Sequence, residues 1–200
     1  MSLMDEILAL EWEQFSAVKN EGGPAPCQQD PVSFDIMRRS QLMTWPEPLL
    51  QSYRQDLLCA KAEERNLMTE KYARMMESTA PESYAALADA LPVLSEAHQK
   101  LVESVIVPQI RWMEQYVEQY PKLAAGNRRI YTSEDSLYET SYETYLRGEL
   151  STYSDETLRL YQAFVKELLD SGRNVMIEVM ENTVRFYGFA SLEHAESCQK

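Results

Sequence analysis

The chain has 200 residues, is 44% hydrophobic and carries a formal net charge of −13. That length and apolar content suffice for one domain with a sizeable core. The acidity, with Lys and Arg scattered rather than blocked, excludes a nucleic-acid surface and a general attraction to anionic membranes, and no apolar run reaches the roughly 20 residues that span a bilayer.

In chain order, apolar residues recur at helical spacing over 4–19, 31–43, 46–63, 66–78, 81–91, 93–120, 138–149, 154–170, 174–187 and 191–198. Strand alternation is absent, so the expected fold is all-α, a single-domain bundle of about ten helices over residues 1–200. Asn20 to Cys27, with Gly22, Gly23, Pro24 and Pro26, reads as a turn; it lacks the Lys-Ser/Thr ending of a phosphate loop. Capping-box patterns mark three helix starts: Thr44-x-x-Glu47, Thr79-x-x-Glu82 and Thr152-x-x-Asp155. Pro46 and Pro81 suit a first helical turn. Pro108, inside the longest segment, predicts a kink. Tyr138, Tyr142 and Tyr145 fall at i, i+4, i+7 and read as a core stripe, and Met75, Met76, Met176 and Met180 as core filling. The three cysteines (Cys27, Cys59, Cys198) have no metal-like spacing, and the N-terminus lacks a secretory pattern. Both features predict free thiols in the cytoplasm.

The sequence repeats itself. Residues 33–70 align without a gap onto 141–178 at a constant offset of 108, and ten of the 38 pairs are identical. They include Arg39/Arg147, Leu50/Leu158, Tyr53/Tyr161, Arg65/Arg173, Asn66/Asn174 and Glu70/Glu178. Similar amphipathic helices would share an apolar frame by chance; here capping and charged residues match as well. With Glu13-Gln14-Phe15 resembling Glu114-Gln115-Tyr116, the copies extend over approximately 4–78 and 101–187. Two diverged copies of one helical unit are expected to pack about a pseudo-twofold axis, each burying the face the other exposes.

Residues kept in both copies are the candidates for chemistry. Arg39 and Arg147 each follow an acid by four positions, Asp35 and Glu143. They could meet at the junction of the copies to hold an anion; the plainer reading is two intrahelical ion pairs. Glu70 and Glu178 could serve as a general acid/base pair if a cleft raised a pKa, although Glu70 is also spaced to pair with Arg74. Asn66 and Asn174 suit helix caps, and Arg65 and Arg173 suit the carbonyls of the preceding helix. No Glu-x-x-His motif or cysteine spacing points to a metal, and nothing calls for a cofactor. The candidate ligand-binding residues are thus Arg39, Arg147, Glu70 and Glu178, with a small anionic molecule or a partner protein as occupant.

Four strings resemble an uncharacterised bacterial family, domain-of-unknown-function family 4125. They are Asn20-Glu21-Gly22-Gly23, MRRSQLMTWP from Met37 to Pro46, EKYARMMESTAP from Glu70 to Pro81, and SYETYLRGELSTYS from Ser141 to Ser154. The resemblance covers nearly the whole chain and implies a bacterial cytoplasmic protein. It carries no activity and no catalytic residues. Three functions fit: a binding protein with an anion site between the copies, a metal-independent enzyme using carboxylates and arginines, and a structural assembly protein.

Overall fold

A computed structural model describes residues 2–19 and 23–199. Among the described residues the chain forms eleven α-helices: α1 (Leu3–Ser16), α2 (Pro31–Leu42), α3 (Glu47–Ala62), α4 (Leu67–Thr79), α5 (Pro81–Ala85), α6 (Glu96–Gln119), α7 (Pro121–Ala124), α8 (Tyr142–Leu150), α9 (Asp155–Asp170), α10 (Val175–Phe186) and α11 (Leu192–Cys198). The only sheet-like pairing described is an isolated bridge between Ser136 and Glu139. The all-α expectation holds, and among the described residues no helix is long and apolar enough to cross a membrane.

Side-chain oxygens fix many helix starts. Ser2 and Asp5 form a reciprocal capping box on α1, and Ser95, Ser141, Ser154 and Ser191 accept from backbone N–H groups of α6, α8, α9 and α11. Asn66 and Asn174 cap α4 and α10, as their sequence positions predict. The three threonine capping boxes do not form. Thr44 and Thr152 donate backwards, to the carbonyls of Gln41 and Glu149 at 2.7 Å, and Thr79 to that of Met75. Thr44 and Thr152 thus close the helices they follow, and Thr79 the last turn of α4; Pro46, Ser154 and Ala80 take the cap positions. Pro108 lies inside α6. The tyrosine stripe also breaks: α8 starts at Tyr142, so Tyr138 sits at the tip of the bridge turn, 91% exposed, instead of in the core. The Asn20–Cys27 turn lies partly outside the described residues; its end, from Pro26, is a short 3-10 turn.

Helices α3 and α9 cross at the centre, with α1 against α3 and α6 against α9. Leu49, Leu57, Leu150, Leu158 and Leu168 are buried there with Ile7, Val105 and Ile106. An aromatic cluster joins the two helices: Tyr53 and Tyr153 have ring centroids 4.8 Å apart, Trp45 and Tyr161 5.1 Å. Outside this centre α4 packs on α8, and α10 on α2. The first contact is close enough to require glycine. A Cβ at Gly148 would lie 2.9 Å from the Lys71 carbonyl oxygen and 2.9 Å from Met75 Cγ. At the second, buried Ser40 stands at the corresponding point of α2, and its carbonyl accepts from Asn182 Nδ2 of α10 at 3.1 Å.

Candidate functional site

The residues expected from sequence are each held by a charge of their own. Arg39 forms a two-pronged pair with Asp35, both bonds 2.9 Å, and reaches Asp5 at 3.1 Å. Arg147 pairs with Glu143 at 2.7 Å, with Glu103 at 2.7 and 3.2 Å, and with the Thr132 hydroxyl at 3.1 Å. Glu70 receives both prongs of Arg65, at 2.8 and 2.9 Å, and Glu178 both prongs of Arg173, at 2.7 and 2.8 Å. Arg65 and Arg173 therefore meet the acids of the following helix, and Glu70 does not pair with Arg74. The four candidates do not gather in one cleft. Arg147 lines one cleft and Glu178 a second, smaller one, while Arg39 and Glu70 line neither.

A buried charge network lies instead between α1, α2, α4 and α8. Arg38 donates to both oxygens of Glu11, at 3.0 and 2.5 Å, to Gln41 at 2.7 Å and to Glu149 at 3.0 Å. Lys71 completes Glu149 at 2.6 Å, and its ammonium lies 3.5 Å from the centre of the Tyr145 ring. Tyr53 donates to Glu11 at 2.7 Å and Tyr153 to Glu149 at 2.8 Å. Burial alone would push the Glu149 carboxyl up. The Arg38 and Lys71 charges outweigh it and hold that carboxyl well below the usual carboxylate range. Burial likewise opposes the Arg38 charge, but Glu11 and Glu149 raise it above its ordinary value. Two cations balance two anions, so the network is closed upon itself. None of Glu11, Arg38, Lys71 and Glu149 lines either cleft. Its sequence signal was a mismatch: at the 108-residue spacing Arg38 falls on Leu146, Lys71 on Val179 and Gln41 on Glu149.

The larger cleft, about 940 Å3, lies between α4, the 80–95 connection, the start of α6, and α8. Its rim is pinned by Asp135, which accepts from Ser141 N and Thr144 Oγ1, both at 2.6 Å, and from the Ser78 hydroxyl. Arg74 on α4 is the unusual wall residue. Nη2 donates to the Pro92 carbonyl at 2.7 Å, while Nε is buried with no acceptor. No carboxylate pairs with it among the described residues. Burial pushes the guanidinium below its ordinary value, and Tyr84, Glu70 and Glu77 offset this only in part. An arginine keeps its charge regardless, so the cleft holds a half-buried cation without a counter-ion. The smaller cleft, about 500 Å3, has no such group: Asn182 stands 108 residues beyond Arg74, and Arg173 is already matched by Glu178. Sequence reasoning passed over Arg74, because nothing in a sequence marks an arginine that lacks a partner.

Among the described residues no three His, Cys, Asp or Glu side chains gather as a metal site would need. Cys27, Cys59 and Cys198 are exposed and unpaired. His98 Nδ1 lies 2.8 Å from Asp155, and His98 lines neither cleft. No curated protein and no solved structure matches the chain. The family model described as "Protein of unknown function (DUF4125)" matches residues 1–197, and the chain belongs to that family.

Proposed function

We propose that this chain is a binding protein whose larger cleft takes a small molecule bearing an anionic group, with Arg74 as the charge anchor. The observation that carries this reading is the half-buried guanidinium whose Nε has no acceptor and which no carboxylate neutralises. A buried donor left unmade is destabilising by about 1–3 kcal/mol, more for a charged group. A carboxylate or phosphate oxygen is the acceptor that suits it best. Arg147 and Glu103 shape the wall without offering free charge. In this reading the protein works in the bacterial cytoplasm, where exposed unpaired cysteines are at home.

The cleft then sits at a junction of two diverged copies, α1–α4 and α6 with α8–α10, related by a pseudo-twofold axis. Several pairs support the duplication. Helix α1 packs on α3 as α6 does on α9, and α4 on α8 as α10 does on α2. The Arg65–Glu70 and Arg173–Glu178 forks recur, as do the Thr44 and Thr152 back-bonds. Gln14 accepts from Leu67 N, and Gln115 from Asn174 Nδ2, so α1 and α6 meet the caps of α4 and α10 alike.

Thermal denaturation of the full chain with acetate, butyrate, hexanoate and inorganic phosphate tests the anion site. A bound anion is expected to raise the melting temperature by about 2–4 °C for each kcal/mol of linkage. Arg74→Gln removes the shift and Arg39→Gln leaves it. No shift at roughly 10 mM of any anion, some tenfold above a millimolar Kd, or a full shift in Arg74→Gln, rejects the reading.

A further inference from the structure

We infer that the ligand of the larger cleft is a zwitterion, an α-amino acid with an apolar side chain, its carboxylate on Arg74 and its ammonium on Glu77; this rests on the anion site proposed above. The charge inventory of the walls carries the inference. Of six charged lining residues, Arg147 and Glu103 close on each other at 2.7 Å. Arg74, Lys100, Glu77 and Glu96 have no ion-pair partner among the described residues, so two cations and two carboxylates stay open in one cleft. Arg74 and Glu77 are three residues apart on α4 and share a face, a spacing at which opposite charges ordinarily meet. Here they do not, because Nη2 of Arg74 turns to the Pro92 carbonyl.

A ligand carrying an acid and an amine on one carbon can answer both wall charges at once. A simple carboxylate would answer Arg74 and leave Glu77 open. A phosphate dianion would bring two negative charges to a lining whose three cations and three carboxylates already cancel. A zwitterion adds no net charge. The lining also carries Leu91, Pro92, Leu94 and Val102, apolar groups that suit a hydrocarbon or thioether side chain.

Calorimetric titration of the full chain tests this with leucine, methionine and phenylalanine. Each is set beside its deamino counterpart: 4-methylpentanoate, 4-(methylthio)butanoate or 3-phenylpropanoate. At least one amino acid is expected to bind about tenfold tighter than its counterpart, the scale of one charge-assisted hydrogen bond. Glu77 is exposed, so Glu77→Gln folds normally; it is expected to erase the amino acid's advantage without weakening the deamino acid. Arg74→Gln weakens both. Equal affinities within every pair overturn the zwitterion and leave the anion site standing. Binding of none of the six overturns the zwitterion, and the anion site falls with it if inorganic phosphate and the short carboxylates also leave the melting temperature unchanged.

Discussion

At the turn after α3, Glu64 adopts φ 56°, the one left-handed non-glycine among the described residues. The conformation is destabilising by about 1–2 kcal/mol for an L side chain. The turn after α9 has the same hydrogen bonding, Arg65 N to Ala60 O at 2.8 Å and Arg173 N to Leu168 O at 2.9 Å, but there the residue is Gly172, φ 67°. Glu64→Gly is therefore expected to stabilise the fold by about 0.5–1 kcal/mol, the relief of strain less the added freedom of the unfolded chain. Urea denaturation reads this directly, and an unchanged or lower midpoint contradicts it. The site was least legible at this scale. Asp35 and Glu143 announce the pairs of Arg39 and Arg147 by spacing alone, whereas Arg74 has Glu70 and Glu77 within helical reach and joins neither. Its isolation depends on the Pro92 carbonyl, brought near only by the path of residues 80–95.

Among the elements, the helices with a strong apolar period were legible and their ends were not. The bodies of α3, α9 and α10 follow their stripes, since burial of one face decides them. The terminal threonines were misread because a hydroxyl between two helices can serve either; local backbone geometry, not residue type, assigned Thr44 and Thr152 to the helix behind. Residues 81–91 form the short α5 and a 3-10 turn over Ala88–Ala90, not one helix, for a related reason. None of them is buried, so no packing holds the pattern in one helix. The contact of α4 with α8 shows what packing demands where it is closest. A methyl at Gly148 meets a backbone carbonyl, which cannot swing aside as a side chain can. Gly148→Ala is expected to lose about 1–3 kcal/mol, measured by chemical denaturation; a loss under about 0.5 kcal/mol would mean that the two helices separate freely.

For the whole molecule, the buried network makes stability depend on acidity. Glu149 is held below its unfolded value of about 4.3. Its contribution is full above that pH and is lost as pH falls toward the folded value. Glu143, lowered by Arg147 against its burial, acts in the same sense. The urea midpoint is thus expected to be level near neutrality and to drop below about pH 4. Glu149→Gln should lower the midpoint at pH 7 by the equivalent of about 3–5 kcal/mol, because Arg38 and Lys71 stay buried without their counter-charge, and should flatten the acid limb. A variant that keeps the full acid slope would show that other groups set it.

The same network bears on which chains can pair. Arg38 and Lys71 come from the first half of the molecule and Glu149 from the second. On the two-copy reading, an ancestral unit that met its twin has become two unlike partners. Two first halves brought together would set Lys71 against Gln41, with no acid to receive it. Two second halves would set Glu149 against Val179 and Leu146, a buried carboxylate among hydrocarbons. Either mismatch is disfavoured by several kcal/mol. Exchange of halves between neighbouring molecules is still neutral, since it recreates the original contact. On that reading, self-pairing of like halves, the ordinary hazard of a duplicated sequence, is closed off by three side chains.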